Sequence, residues 1–192
     1  MNIRKMNLCI KQILLSSPSL RALRGKIPSS MKILGIDPGL RLTGYGCVEL
    51  SENNPEPTLI EGGVLRLDAD QSIPYRLVQL FEDLSQVIEE LKPEVMVVEK
   101  LYSHYKHAQT SVLMGHARGV ILLAGQIKGV TIDELPATEV KKAITGHGHA
   151  TKEQVQLAVA KQLGLAEPPS PPDVADAIAI ALCAARRLQV NT

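Results

Sequence analysis

The sequence predicts an α/β domain with one mixed five-stranded sheet flanked by helices. Three strand-like segments, 32–36, 44–50 and 59–67, follow one another through short turn-rich links, which is typical of an antiparallel meander. Two further strand-like segments, 95–98 and 130–135, are separated by a helical pattern. The first of these is continuously apolar (Val-Met-Val-Val), as expected of a strand covered on both faces.

The helical segments complete the pattern. After the third strand, apolar residues recur at helical spacing until Pro93 ends the helix; they are Leu77, Leu80, Phe81, Leu84, Ile88 and Leu91. A second helix is predicted over about 109–128 and a short one near 138–144. A capping box over Thr151–Gln154 begins the next helix, and the last one, 173–187, follows a Ser-Pro-Pro breaker. This order is that of the ribonuclease H-like fold, which alone fixes no chemistry.

Residues 1–30 differ in composition from the rest of the chain. They carry six Lys or Arg and no Asp or Glu, and they end in Ile-Pro-Ser-Ser before Met31. We favour the interpretation that Met31 is the true first residue; the alternative is a transit-like segment for organellar targeting. The predicted organisation is therefore a basic extension over 1–30, outside the core, and one domain over 31–190.

The composition indicates an aliphatic core and argues against a disulfide-rich or membrane-spanning protein. Hydrophobic residues make up 45% of the chain and aromatic residues 3%, so a core of aliphatic side chains is expected. Cys9, Cys47 and Cys183 lie far apart without a CxxC pair, which argues against a disulfide framework and favours a reducing, cytoplasmic location. The longest apolar runs, such as 177–185, are too short to span a membrane, so no membrane association is expected.

The charge of the chain is unevenly distributed. The net charge is +1, but outside the extension 15 Lys and Arg face 20 Asp and Glu, a net of −5. Because phosphate contacts dominate the affinity of proteins for DNA, bulk charge alone does not suggest DNA binding. The deficit largely disappears if four of the acids are ligands of two divalent cations.

Two acids end predicted strands. Asp37 lies in Leu-Gly-Ile-Asp-Pro-Gly, where Asp-Pro-Gly is also strongly turn-forming. Glu99 closes the apolar strand 95–98, which is often only the point where a chain reaches water. The carboxyl edge of a sheet is, however, where α/β proteins tend to build their sites.

Two more acids lie at the start of the last helix. Asp173 and Asp176 are three residues apart and therefore share a helix face. Asp173 also suits the helix dipole as an N-terminal acid. Asp176 is harder to explain structurally, because the following residues, 177–185, are all apolar and a buried carboxylate needs compensation.

Together these four carboxylates are typical of a metal site for phosphodiester chemistry. Oxygen ligands suit Mg²⁺ or Mn²⁺ rather than zinc. Two Mg²⁺ ions per subunit could activate a water and stabilise the leaving 3′-oxygen in an in-line displacement at phosphorus. The histidine pairs, His104 with His107 and His147 with His149, are weak candidates for zinc, because no Cys lies near them.

Several segments resemble the RuvC family of crossover junction endodeoxyribonucleases, in the family's order. They are MKILGIDPGLRLTGYG, VVEKLY, GHARG, VKKAITGHGHATKEQV and PPDVADAIAIAL, which together cover about 31–187. The resemblance implies a ribonuclease H-like nuclease that resolves four-way (Holliday) junctions by paired nicks in recombination and repair. It places the family's catalytic acids on Asp37, Glu99, Asp173 and Asp176; some relatives carry His in place of Asp173.

The resemblance also implies roles for residues around the loop 145–150. Lys142 and Lys152 match the family's functional lysines best and are expected to be catalytic, while Lys141 is expected to contact DNA or to be solvated. His147, His149 and the helix start at Thr151 are expected to reach phosphates. Tyr102 lies where relatives often carry Phe, and it resembles the family's aromatic wedge, which stacks on junction bases.

The expected partners follow from the same resemblance. A four-way junction has near two-fold symmetry, so a homodimer is the economical solution, with Gly115 and Gly119 of GHARG permitting close helix approach. Core packing explains these glycines equally well. A RuvA–RuvB branch-migration motor is implied as a partner. Two other interpretations remain: an actin-like phosphate-binding module, which would need a second similar domain, and a junction-binding protein without catalysis.

Overall fold

The computed structural model describes residues 29–52, 54–100 and 108–189. The expectations for the basic extension concern residues 1–30, of which 1–28 lie outside the described residues. The same holds for Tyr102 as an aromatic wedge and for the pair His104 and His107.

The described residues form one sheet of five strands, in the order β3-β2-β1-β4-β5. Strands β1, β2 and β3 are antiparallel neighbours, whereas β4 pairs with β1 and with β5 in parallel. The strands are β1 (Ser30–Asp37), β2 (Leu42–Ser51), β3 (Asn54–Arg66), β4 (Val95–Lys100) and β5 (Thr131–Pro136). The mixed five-stranded sheet predicted from the sequence is confirmed.

Five helices flank the sheet in the described ranges. They are α1 (Ile73–Leu91), α2 (Ala108–Ile127), α3 (Ala137–Thr145), α4 (Lys152–Leu163) and α5 (Pro172–Gln189). Helix α4 begins at the predicted capping box, in which the Thr151 hydroxyl accepts from the Gln154 amide and the Gln154 side chain accepts from the Thr151 amide. Within the described ranges no helix is long and apolar enough to cross a membrane.

One strand is longer than its sequence predicts. Strand β3 begins at Asn54 rather than at Leu59, because its first residues continue the ladder with β2, where Ser51 pairs with Asn54 and Glu49 with Thr58. The segment 54–58 contains two prolines, which remove ladder donors and conceal the strand in the sequence. Proline is tolerated here because β3 is an edge strand.

The core has two layers, one on each face of the sheet. Alternate residues of the buried strands face opposite sides, so Ile33 of β1 and Val97 of β4 pack against α3, α4 and α5. Leu34 and Met96, one position away, pack against α1 and α2. The first layer positions the site, because α5 lies directly on the central strands.

Small residues allow that close approach of α5. A Cβ placed on Gly35 of β1 would lie 2.2 Å from the carbonyl oxygen of Ala177, and one on Gly46 of β2 would lie 2.8 Å from the Cα of Ile178. The backbones of strand and helix therefore touch without intervening side chains. This contact carries the start of α5 to the carboxyl edge of the sheet.

Candidate active site

Asp37 is the last residue of β1. The turn that follows is closed by Thr43, whose hydroxyl donates to the carbonyl oxygen of Gly39 at 2.6 Å and accepts from the Gly39 amide at 3.3 Å. A Cβ on Gly39 would lie 2.0 Å from the Leu42 carbonyl oxygen, so the tightness of the turn requires glycine there. Gly39 and Thr43 thus hold the turn, and the carboxylate of Asp37 is available for another role.

Glu99 lies next to Asp37 along the sheet edge. The parallel register of β1 and β4 pairs Ile36 with Val98, so the following residue on each strand is Asp37 and Glu99 respectively. Both acids continue the row of residues that faces α5, since side chains alternate along a strand. The sheet therefore brings together two carboxylates that are separated by more than sixty positions in the sequence.

Arg118 of α2 fixes the end of β4. Its Nε donates to the backbone carbonyl oxygen of Glu99 at 3.4 Å, and its guanidinium pairs with Glu134 of the neighbouring strand β5. A bridge between two adjacent strand ends restrains the backbone from which the Glu99 side chain projects. Arg118 is thus a positioning residue for this corner of the site.

Asp173 and Asp176 come from the first turns of α5, where their side chains are 26% and 16% exposed. Gly44 of β2, the ladder partner of Asp37, allows this placement. A Cβ on Gly44 would lie 2.1 Å from the carbonyl oxygen of Asp173. The backbone that carries Asp173 therefore rests against the strand residue directly opposite Asp37.

The four acids are electrostatically coupled. Burial, and then repulsion by Glu99 and Asp176, raise the pKa of Asp37 well above its usual value, although Lys152 opposes the shift. Burial, followed by repulsion from Asp176, also raises the pKa of Glu99. Burial raises the pKa of Asp176 in the same way, against the lowering effect of Lys152. The site thus concentrates negative charge that the described residues only partly neutralise.

Lys152, the first residue of α4, supplies part of the compensating charge. Its Nζ lies 3.4 Å from Oδ2 of Asp176 and 3.9 Å from Oδ1 of Asp173. Burial alone would lower the pKa of Lys152, but Asp176, Asp173 and Asp37 outweigh it and the pKa is raised. Lys152 therefore stays protonated beside the carboxylates, where the sequence predicted a catalytic lysine.

A second lysine interacts electrostatically with the acids. Lys141 lowers the pKa of both Glu99 and Asp176, and its neighbour Lys142 is exposed. Adjacent residues on a helix point about 100° apart, so the two lysines face different directions. Lys141 is therefore a second candidate for the catalytic role that the sequence predicts for Lys142, and that role stays a prediction.

The loop between α3 and α4 presents the predicted histidines to solvent. Gly146, with a φ of 81°, ends α3, and His147 and His149 follow with exposed side chains. Their rings lie 5.9 Å apart between centroids at 66°. Thr151 engages both its hydroxyl and its own amide in the capping box. Thr151 therefore fixes the start of α4, and its contact with a phosphate stays a prediction.

The donor set of the site suits hard divalent cations. Carboxylate oxygens are the ligands that such ions prefer. Burial and mutual repulsion raise the pKa of Asp37 and Glu99, and burial raises that of Asp176, so a bound cation would compensate charge at this site. In the described part of the chain, no three His, Cys, Asp or Glu side chains converge tightly enough to enclose an ion. The Lys152 ammonium lies against two of the acids, at the distances given above.

Comparison with known proteins identifies the family. The family model described as crossover junction endodeoxyribonuclease RuvC matches residues 33–184. The chain belongs to the RuvC family. The crossover junction endodeoxyribonuclease RuvC of Rhodopirellula baltica is 46% identical over 155 residues, which cover 81% of this chain and 86% of that protein.

Solved RuvC structures agree with this assignment. The Thermus thermophilus RuvC structure superposes with a TM-score of 0.73 at 32% identity, covering 84% of this chain and 98% of that one. The T. thermophilus RuvC in complex with a Holliday junction substrate gives a TM-score of 0.74 at the same identity and covers 84% and 97%. The predicted ribonuclease H-like fold and the resemblance to the RuvC family are thereby confirmed.

Two features of this RuvC-family site go beyond what the sequence predicts. The first is Gly44, whose signal is the spacing of two glycines in Gly-Tyr-Gly together with the alanines of α5, a pattern of close packing. The second is Arg118 in GHARG, whose contacts with β4 and β5 have no signal in the sequence.

Proposed function

We propose that this chain is a junction-resolving endonuclease that cuts four-way DNA junctions at Asp37, Glu99, Asp173 and Asp176. The observation that carries the proposal is that β1, β4 and α5 bring these acids to the same edge of a RuvC-family domain, where they interact electrostatically. RuvC-family nucleases are metal-dependent. We further infer that the ions are two Mg²⁺ per subunit, with Mn²⁺ able to substitute.

The four acids are the residues that would hold the ions. Asp37 and Glu99 project from neighbouring strand ends, and Asp173 and Asp176 face them from α5. When bound, the ions would supply Lewis acidity to the attacking water and to the leaving 3′-oxygen, giving 5′-phosphate and 3′-hydroxyl ends. Because burial makes an unpaired charge on Asp37 costly, a bound cation would compensate the ionised carboxylate.

The lysines act on the phosphate. Lys152 and Lys141 lie among the acids and carry the charge that a transition-state phosphorane oxygen needs. Lys142, exposed on the same helix as Lys141, is left with the role of contacting DNA backbone. His147 and His149 project from the loop beside α4 and can reach phosphates on the same strand.

Helix α2 is the proposed dimer interface. Val112 and Leu123 are 57% and 53% exposed on the helix face that also carries Gly115 and Gly119. A Cβ added at either glycine meets no described atom within 4 Å, so the fold of one chain does not require glycine there. A second copy of α2 packed on this face would bury the apolar stripe and use both glycines for close approach. The dimer would place two sites on one junction.

The cellular setting is inferred from the relatives. The RuvC proteins similar to this chain are bacterial, and we infer a bacterial, cytoplasmic enzyme of recombination and repair. Cooperation with a RuvA–RuvB branch-migration motor belongs to the same proposal. The described part of the chain contains none of the second, similar domain that an actin-like phosphate-binding module would need.

Cleavage of a synthetic four-way junction tests the proposal. The purified chain should nick the junction at paired positions with Mg²⁺ or Mn²⁺, bind without cutting in Ca²⁺, and leave a linear duplex of the same sequence intact. Ligation of the products would show that the ends are 5′-phosphate and 3′-hydroxyl. Equal cleavage of linear duplex, or binding without cleavage in every metal, would exclude a resolvase; the second outcome would favour a junction-binding protein.

A further inference from the structure

A cavity opens beside the carboxylates. It has a volume of about 470 Å³ and lies between the turn after β1, the start of α1 and the first half of α2. Asp173 forms part of its wall, so the cavity borders the active site. Two arginines, Arg41 from the turn and Arg76 from α1, line it together with the apolar side chains Leu113 and Met114.

Neither arginine has an acidic partner among the described residues. The guanidiniums of Arg118, Arg186 and Arg187 each pair with a glutamate, but no ion pair involves Arg41 or Arg76. The Nε of Arg76 is buried and has no hydrogen-bond partner in the described part of the chain. A buried unsatisfied donor is costly, and an absent water or ion is one of its ordinary explanations.

The surroundings decide which kind of ligand fits. Two guanidiniums facing one cavity recognise an anion, and planar guanidinium groups suit phosphate oxygens through paired hydrogen bonds. Leu113 and Met114, which also line the cavity, offer an apolar surface against which a sugar can pack. A phosphodiester offers both a charged and an apolar part, whereas a free inorganic anion would use the arginines alone.

We propose that Arg41 and Arg76 form a binding subsite for a backbone phosphate next to the scissile one on the cut strand. This inference rests on the proposed nuclease function. Asp173 forms part of the cavity wall, so the subsite borders the acids that are proposed to bind metal. The domain outside the basic extension is net acidic, so such local cations, rather than a broad positive field, must hold the DNA.

Binding at varied salt tests the charge of the contact. Arg41→Ala, Arg76→Ala and the control Arg187→Ala are titrated with one four-way junction in Ca²⁺ at several salt concentrations. Arg187 is paired with Glu139 near the opposite end of α5, so its removal subtracts the same charge away from the cavity. Each cavity variant should raise Kd roughly tenfold and make the salt slope shallower by about 0.9, the value for one phosphate contact. The control should keep the slope of the parent chain.

Chemical removal of single phosphate charges identifies the partner of the arginines. Junctions with one neutral methylphosphonate at successive positions near the cut are bound to the parent and to Arg76→Ala. At one position next to the cut, the neutral linkage should weaken the parent but leave Arg76→Ala unaffected, because the contact is already lost. Additive losses at every position, or a slope change no larger than in Arg187→Ala, would overturn the subsite.

Further measurements distinguish loss of the phosphate contact from loss of the fold in the arginine variants. Thermal unfolding shows whether Arg76→Ala remains folded; Arg41→Ala, at an exposed position, carries the same test if it does not. Arg76→Lys keeps the charge and should recover most of the salt slope, which a purely structural role would not predict. Failure of the parent chain to cut junctions would refute the proposed function, whereas normal cutting with unchanged arginine variants would refute the subsite alone.

Discussion

Asp37 carries a buried carboxyl group whose ionisation is linked to the stability of the fold. Its pKa is raised by burial and by the neighbouring acids, so the folded state favours the protonated carboxyl. The stability contributed by that proton is fully present below the unfolded pKa and is lost as pH rises through the raised folded pKa. Without metal, and at a pH above the folded pKa, the ionised carboxylate therefore destabilises the protein.

Replacing Asp37 should separate stability from activity. We expect Asp37→Asn to abolish cleavage, to leave junction binding in Ca²⁺ close to that of the parent, and to raise the melting temperature in EDTA at pH 8. The gain should be a few degrees, since 1 kcal/mol corresponds to about 2–4 °C for a chain of this size. Added Mn²⁺ should stabilise the parent more than the variant. Near-normal cleavage by Asp37→Asn would return the residue to a role in the turn.

Glu99 offers an independent test of the same site from another strand. Glu99→Gln removes the charge while keeping size and polarity, and Arg118 still anchors the backbone of β4. Cleavage should be lost with junction binding retained, as measured by single-turnover assays and by titration in Ca²⁺. A variant that cuts normally at saturating Mg²⁺ would remove Glu99 from the metal ligands.

Lys141 and Lys142 form a matched pair for the role of the second lysine. Lys141→Ala should lower single-turnover cleavage about a hundredfold at saturating DNA, as expected when charge stabilisation at the scissile phosphate is lost. Lys142→Ala, one residue away and exposed, should cut at the parent rate once bound and lose only salt-dependent affinity. The reverse result would restore the assignment made from the sequence, in which Lys142 is the catalytic lysine.

At the scale of elements, the periodicity of the sequence predicts where the strands and helices lie, but not which way each helix is rotated against the sheet. The apolar runs of β1 and β4, the capping box of α4 and the Ser-Pro-Pro before α5 located every element of the site. The acids could be proposed because strand ends and helix starts are visible in sequence. Which of Lys141 and Lys142 faces them depends on the rotation of α3 against the sheet, and that rotation is set by tertiary packing. The unpaired state of Arg76 likewise appears only once its neighbours are known.

The contact between Gly44 and α5 leads to a prediction for the helix. Gly44→Ala places a methyl group against the Asp173 backbone, so the start of α5 must move away from Asp37. Gly46→Ala is the control, because its methyl meets Ile178 in the core instead. Both should lower the melting temperature, since overpacking costs about 1–3 kcal/mol.

The two glycine variants should differ in their response to metal. Gly44→Ala should bind Mn²⁺ more weakly by calorimetry and need more Mn²⁺ for half-maximal cleavage, whereas Gly46→Ala should keep both values close to those of the parent. Equal changes in the two variants would mean that packing of α5 as a whole, rather than the position of Asp173, governs the site.

For the whole molecule, the proposed dimer interface on α2 can be tested by placing a charge in it. Leu123 and Leu157 are both exposed leucines, at 53% and 61%, but Leu123 lies on the stripe with Gly115 and Gly119 whereas Leu157 lies on α4. Leu123→Asp places a charge in the proposed interface, where burial of an unpaired carboxylate is costly. Leu157→Asp makes the same chemical change outside it.

The oligomeric state of each variant and the products that it forms from a plasmid test the proposed dimer. By light scattering, the parent and Leu157→Asp should be dimers and Leu123→Asp a monomer at the same concentration. On a supercoiled plasmid with an extruded cruciform, the two dimers should give linear product, because both nicks fall within one encounter. The monomer should accumulate nicked circles, since its second cut needs a new binding event after the first nick has released the supercoiling that maintains the junction. A dimeric Leu123→Asp that still yields linear product would place the interface on another face of the domain.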